Sequence, residues 1–231
     1  MAKILAPEKK DEPGIVDKIL NFIQHYKRII VISLISIASV LVIFIAASII
    51  SAKIHEKSLV QIEQLQSDYT VLKNEGLTSA GNEEKISDLI RTLTDFGNKK
   101  RGYAAARAFA TLGELHAERK EWQEAEEAWK RAADKAPKIY LAPLSLLHSA
   151  IAAEEQGKTE TALELYNRIS AYESSFPLAP RAVFSTGRIQ EELKNPDAAI
   201  LAYQNIVEKW PESSWAKYSQ SRIISINASK L

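Results

Sequence analysis

Three stretches of this chain can be laid over one another at a spacing of 37 residues: GELHAERKEWQEAEEAWKRAADKAP, AIAAEEQGKTETALELYNRISAYES and GRIQEELKNPDAAILAYQNIVEKWP. Small residues recur at Gly113, Ala150 and Gly187, and again twelve residues later at Ala125, Ala162 and Ala199. Large aromatics follow four further on, at Trp129, Tyr166 and Tyr203. Two antiparallel helices approach closely only where small side chains face one another, and a ring fills the next hole along the seam. Pro137 and Pro211 close the first and third units, and the second closes with Phe176-Pro177; a proline there stops one helix before the next begins. The pattern predicts an all-α fold of three stacked helix pairs, with a final helix from Trp215 to Leu231 capping the stack.

In this respect residues 103–231 resemble the tetratricopeptide repeat, whose usual period is about 34. The extra residues per unit fit longer turns between repeats. The resemblance implies an α-solenoid that works by binding other proteins.

A second feature sets where such a stack would sit. From Ile29 to Ala52 the chain runs 24 residues without a charge. At about 1.5 Å per residue this is roughly 36 Å of helix, enough to cross a hydrocarbon core of about 30 Å. The run exceeds the apolar core of a cleaved signal peptide and 28 residues precede it, which favours an uncleaved anchor. Six basic residues (Lys3, Lys9, Lys10, Lys18, Lys27, Arg28) flank it on the N-terminal side against Lys53 and Lys57 beyond it. This asymmetry predicts a single-pass protein with its N-terminus in the cytoplasm and its repeat domain on the other side of the membrane. Ser33, Ser36 and Ser39 form one stripe, which is either simply tolerated in the bilayer, the favoured reading, or lines a helix contact there.

The expected divisions are 1–28, a cytoplasmic tail; 29–52, the transmembrane helix; 53–102, juxtamembrane helices or stalk; and 103–231, the repeat domain with its cap. In the tail, residues 1–14 read as disordered, and Ile15, Ile19, Phe22, Ile23 and Tyr26 define an amphipathic helix leading into the span. In the stalk, Ile62, Leu65, Tyr69 and Leu72 continue a helix out of the bilayer. Asn74-Glu75-Gly76 through Gly81 breaks it. Asn82 then caps a second helix whose stripe is Ile86, Leu89, Ile90 and Leu93. The stalk packs on the repeats, stands free or, less favoured, dimerises. Asn98 to Gly102 reads as a basic linker.

Catalysis finds little support. With no Cys, thiol nucleophiles, disulfides and Cys-based zinc sites are excluded. His25, His55, His116 and His148 make no metal-ligand pair at helical spacing, and neither a phosphate-binding glycine loop nor a nucleophile elbow is present. Residues 53–231 carry 24 basic and 25 acidic side chains, without the basic field that nucleic-acid binding needs. Asn227-Ala228-Ser229 matches a glycosylation sequon with nothing to support its use. The expectation is a non-enzymatic protein without cofactor or metal.

Function then falls to a surface. In such arrays the first helix of each pair lines the concave side. The repeat register places Arg107, Ala110 and Glu114 there from the first unit, Leu144, Leu147 and Ile151 from the second, and Arg181, Phe184 and Arg188 from the third. An apolar middle with charged edges suits a polypeptide segment, and the chain's own helix at 83–97 or 215–231 is the competing occupant. Relatives of this repeat class that grip the carboxyl tail of chaperones use Lys and Asn in the first groove. Ala110 and Glu114 stand at those places here.

In whole architecture, and through LGELHAERKEWQEAEEAW and WPESSWAKYSQSRIISI, the chain is similar to the ancillary SecYEG translocon subunit family. That resemblance implies a periplasm-facing adaptor linking the translocon with chaperones or envelope assembly. Similar anchored repeat proteins are structural parts of large machines, including the collar of spirochaete flagellar motors, where copies touch one another through stalk or repeats.

Overall fold

A computed structural model describes residues 14–77 and 79–228. The expected tail over 1–13, Ser229 of the sequon and the end of the capping helix lie outside the described residues. The chain divides into two units, Met1–His55 and Glu56–Leu231.

In the first unit the described residues belong to helix α1 (Ile15–Glu75), apart from Gly14. No break separates the amphipathic stretch from the apolar run. This helix is long and apolar enough to cross a membrane, and its most apolar window has no buried residue. The Ser39 hydroxyl donates to Ile35 O of its own helix at 2.8 Å.

The second unit begins with the last turns of α1 and continues through α2 (Glu83–Lys99), α3 (Gly102–Glu118), α4 (Trp122–Lys135), α5 (Leu141–Glu155), α6 (Thr159–Ile169), α7 (Ala179–Glu192), α8 (Pro196–Lys209) and α9 (Ser214–Ala228). The pairs α3/α4, α5/α6 and α7/α8 are the three predicted units, and α9 packs on α8 as the cap. Small-to-ring contacts hold each pair. A methyl at Gly113 would lie 2.7 Å from the Trp129 ring, and one at Gly187 2.5 Å from that of Tyr203. Ala125, Ala162 and Ala199 are fully buried at the facing positions.

The turns inside the pairs also repeat at 37 residues. Glu121 N, Lys158 N and Asn195 N donate to His116 O, Ala153 O and Gln190 O at 2.8–2.9 Å. Lys120, Gly157 and Lys194 just before them have φ of 61°, 70° and 60°. This is the left-handed C-cap that satisfies the last carbonyls of a helix. Only the second unit has the glycine that makes it unstrained.

The stalk does not stand free. Ile62, Tyr69 and Leu72 of α1 are buried against Ile86, Leu89 and Leu93 of α2 and Ala108 and Leu112 of α3. At roughly 1.5–3 kcal/mol per buried large apolar side chain, docking outweighs the freedom of an undocked helix. The unit boundary accordingly falls at His55/Glu56 rather than after residue 102. Arg119 locks the corner, its Nη1 donating to Leu77 O at 2.6 Å and to Glu83 at 3.2 Å, and its Nε to Glu121 at 2.8 Å.

Two local expectations need correction. Asn82 precedes α2 but makes no capping bond; its Nδ2 donates to Gly76 O at 3.3 Å, closing the loop instead. The basic linker shrinks to Lys100 and Arg101, because Asn98 and Lys99 complete α2 and Asn98 accepts a bond from Arg131.

Candidate protein-binding groove

The first helices of the pairs, α3, α5 and α7, carry the residues expected to line a groove. The structure sorts them. Leu147 is only 1% exposed and sits in the core with Leu146, Ala150 and Leu165, so it is not a groove residue. Ala110 is likewise buried. Phe184 is half-covered by the protein's own C-terminal helix, its ring 5.0 Å from Trp215 and 6.4 Å from Tyr218, with Tyr203 at 5.2 Å. Leu144 and Ile151 are partly exposed, and Arg181 is exposed.

Arg107 and Glu114 face the end of α1. The Gln66 amide lies between Thr111 and Arg107; the orientation that satisfies it sets its oxygen 2.8 Å from Arg107 Nη2. Lys73 on α1 pairs with Glu118 at 2.5 Å beside Tyr69. Glu114 has no such direct partner, although it lies within the fields of Arg107 and Lys73. Desolvation raises its pKa, against those two cations and with help from Glu118.

Farther along, two seams between units are closed by the same three-residue clamp. Tyr166 Oη donates to Glu154 at 2.5 Å, and Arg188 of the next unit pairs with the same carboxylate. One unit on, Tyr203 Oη donates to Glu191 at 2.6 Å, and Arg222 of the cap donates to that carboxylate, at 3.0 Å through Nε. Burial first and the adjoining carboxylate second push both tyrosine pKa values up. At Glu191 burial acts to raise the pKa, but the bonds from Arg222 and Tyr203 outweigh it and the net shift is downward. Arg188, predicted as a groove residue, is therefore occupied in structure; it also bonds Glu192 at 2.6 Å.

The seam between the first two units lacks this clamp and is tied by another set: Gln156 Nε2 and Lys158 Nζ donate to Glu126 at 3.0 and 3.3 Å, and Ser149 Oγ donates to Glu126 O at 3.0 Å. The register puts Trp129 at the tyrosine position, Ala117 at the glutamate and Ile151 at the arginine. A cleft of about 500 Å³ opens there, lined by Tyr69, Glu114, Ala117, Trp122, Trp129 and His148, with the Lys73–Glu118 pair and Lys120 at its edge. His148 stacks on Trp129 with ring centroids 5.1 Å apart. Burial, and secondly Arg181, lower its pKa, so the imidazole is neutral at neutral pH. Sequence reasoning missed Tyr69, Trp122, Trp129 and His148 as groove residues. The signal was there in the repeat alignment, as the one unit whose aromatic lacks a hydroxyl.

Among the described residues no cluster of His, Asp or Glu has the makings of a metal site. What the fold offers is surface: antiparallel helix pairs stacked so that their first helices share a face. Such molecules form the class of α-solenoid interaction scaffolds. The tetratricopeptide-repeat family profile matches residues 147–214. A "TPR repeat-containing protein" of Treponema pallidum (strain Nichols) is 31% identical over 228 residues, which span 93% of this chain and 95% of that protein. The chain belongs to the tetratricopeptide-repeat proteins.

Proposed function

We propose that the chain is a non-enzymatic scaffold anchored in the bacterial inner membrane by residues 29–52. Its N-terminus lies in the cytoplasm and its repeat unit faces the periplasm. There the face built from α3, α5 and α7 holds other envelope proteins, whether translocon, chaperone or assembly components. The observation that carries this reading is the cleft of about 500 Å³ beside the first pair, bordered by the half-exposed Trp122 and His148. Photo-crosslinking groups placed at Arg181 and Lys120 in intact membranes are expected to trap a discrete protein. Capture of random neighbours alone would refute the scaffold. Single cysteines introduced at Lys3 and Glu155 into this cysteine-free chain test the topology. Labelling at Lys3 by an impermeant maleimide in intact spheroplasts would invert it.

The second reading, a structural subunit of a large machine such as a spirochaete flagellar motor collar, is favoured by the spirochaete source of the relative. It predicts a fixed high-order stoichiometry in detergent extracts. The narrower likeness to the ancillary translocon subunits has no counterpart in the family or relative matched and rests on the quoted segments.

A further inference from the structure

We propose that one end of the repeat unit is a docking surface for the phosphate headgroups of an anionic lipid bilayer, the same bilayer that residues 29–52 span. The inference rests on the anchor in the preceding reading and adds a second, electrostatic attachment to it. Successive helices run antiparallel, so the turns at 98–103 and 135–140 open at the same end of the stack. Read along the chain, the first is only a short basic linker. The fold brings the end of α4 beside it. Arg131 donates to Asn98 and lies over the Phe109 ring at 4.0 Å, with Lys135 over the same ring at 5.7 Å. Lys99, Lys100, Arg101, Arg131, Lys135 and Lys138 thereby share one end. The acids nearest to them in the chain are engaged, Asp95 by Lys99 at 3.4 Å and Asp134 by Arg168 at 2.7 Å. Lys100, Arg101, Lys135 and Lys138 enter no ion pair among the described residues. The turns at the opposite end, 118–121, 154–160 and 191–197, hold eight acidic against four basic side chains. Charge is thus segregated along the helix axes of a unit that is nearly neutral as a whole.

What selects a lipid surface is the place where the chain enters. Gln66 bonds Thr111 and Lys73 bonds Glu118, each pair 45 residues apart, so the end of α1 and α3 run side by side, parallel and in step. The same offset sets Lys57 level with Gly102, at the basic end. The unit opens at Glu56, and only residues 53–55 separate it from Ala52, the last residue of the uncharged run. Even fully extended, that connection spans at most about 14 Å. Charges make themselves felt over about 8–10 Å at physiological salt, so the basic end can reach the headgroup layer and respond to it. Each unpaired cation brought there gains attraction, and the gains add along a polybasic surface. Tyr103 and Tyr140 are 44% and 54% exposed at the same end, and tyrosine is the kind of amphipathic side chain that settles at headgroup level. An acidic segment of another protein would match the charges, but it leaves the point of entry and the two tyrosines without a role.

The full chain is reconstituted into nanodiscs of phosphatidylcholine, alone or with about one third phosphatidylglycerol, each carrying a trace of nickel-chelating headgroup lipid. Because the chain has no cysteine, a nitroxide on Tyr103→Cys reports the basic end, with Tyr140 left in place, and one on Glu155→Cys reports the opposite end. In the anionic discs the Tyr103→Cys label is expected to relax at least roughly threefold faster through nickel collisions than in the neutral discs, and the difference should vanish at about 0.5 M salt. The Glu155→Cys label should not distinguish the two lipids. Lys100→Glu with Arg101→Glu and Lys138→Glu should abolish the difference, its thermal melt showing that it folds. Lys120→Glu with Lys194→Glu, at the other end, should keep it. Equal relaxation in the two lipids, or a difference that survives charge reversal or high salt, would overturn the proposal. Release of the label from anionic discs by a capped hexaglutamate peptide would also overturn it and assign the surface to an acidic protein segment. A chain that separates from the discs refutes the anchor and this proposal together. One that stays in them but ignores their charge loses only the lipid contact.

Discussion

Gly187→Ala puts one methyl group into the tightest contact of the repeat stack. Its Cβ would lie 2.5 Å from Cε1, 2.8 Å from Cζ and 2.9 Å from Cδ1 of Tyr203. Carbon atoms prefer a separation of about 3.5–4.0 Å, so the helices must part by roughly 1 Å or the ring must move. The ring is poorly placed to move. Tyr203 is 1% exposed, its hydroxyl is tied to Glu191 at 2.6 Å, and Phe184 packs on it at 5.2 Å. Overpacking of this kind costs about 1–3 kcal/mol. Alanine returns about 1 kcal/mol through helix propensity. The net expectation is a loss of up to about 2 kcal/mol, or up to roughly 8 °C in Tm for a chain of this size. Thermal and urea unfolding of the full chain in detergent, followed by far-UV circular dichroism, measures it. The decisive comparison is the same substitution in a Tyr203→Ala background. With the ring removed the clash is gone, and Gly187→Ala should there stabilise by about 0.5–1 kcal/mol. Gly81→Ala, where a Cβ meets nothing within 4 Å, is the control and should stay within about 0.5 kcal/mol of wild type. If Gly187→Ala were as stabilising with Tyr203 present as in the Tyr203→Ala background, the small-to-ring register would be wrong.

Ala162→Trp, at a fully buried crossing position, should lower stability by at least about 1–3 kcal/mol in the same melts, with Ala125 and Ala199 behaving alike. At the turns, Lys120→Gly and Lys194→Gly should each stabilise by about 1 kcal/mol because φ is near 60° there, while Gly157→Ala should destabilise by a similar amount. The carboxyl of Glu191 has a folded-state pKa below its ordinary 4.5, so its contribution is present above pH 4.5 and is lost as pH falls through the folded value. Melts from pH 7 to pH 3 should show that acid loss, and it should shrink in Glu191→Gln. Glu114 has the opposite sign, its pKa being raised, so its penalty appears as pH rises past 4.5 and Glu114→Gln should melt higher at pH 7.

The repeat was legible because its determinants are local and periodic. Gly113 with Trp129 and Gly187 with Tyr203 had to meet once both were placed on antiparallel helices, and they do. Less legible were features that depend on which side chain wins a shared partner. Asn82 has the chemistry of a cap, yet the Gly76 carbonyl claims it. Arg188 reads as a free groove cation, yet Glu154 claims it from the preceding unit, across 34 residues that no local pattern joins. Lys120 and Lys194 occupy a conformation that sequence assigns to glycine, and only Gly157 betrays the turn type. The first unit differs from the others for the same reason. Trp129 for tyrosine, Ala117 for glutamate and Ile151 for arginine are three changes that each remove a polar group. Together they remove every member of one clamp, and a removed clamp at a packed seam leaves either a collapsed apolar contact or a vacancy. The seam takes the first course, Ala125, Ala152 and Trp129 packing with Trp122 half-covered and His148 stacked on Trp129, and it is tied by a substitute set in which Glu126 pairs with Lys158 at 3.3 Å and accepts from Gln156 at 3.0 Å.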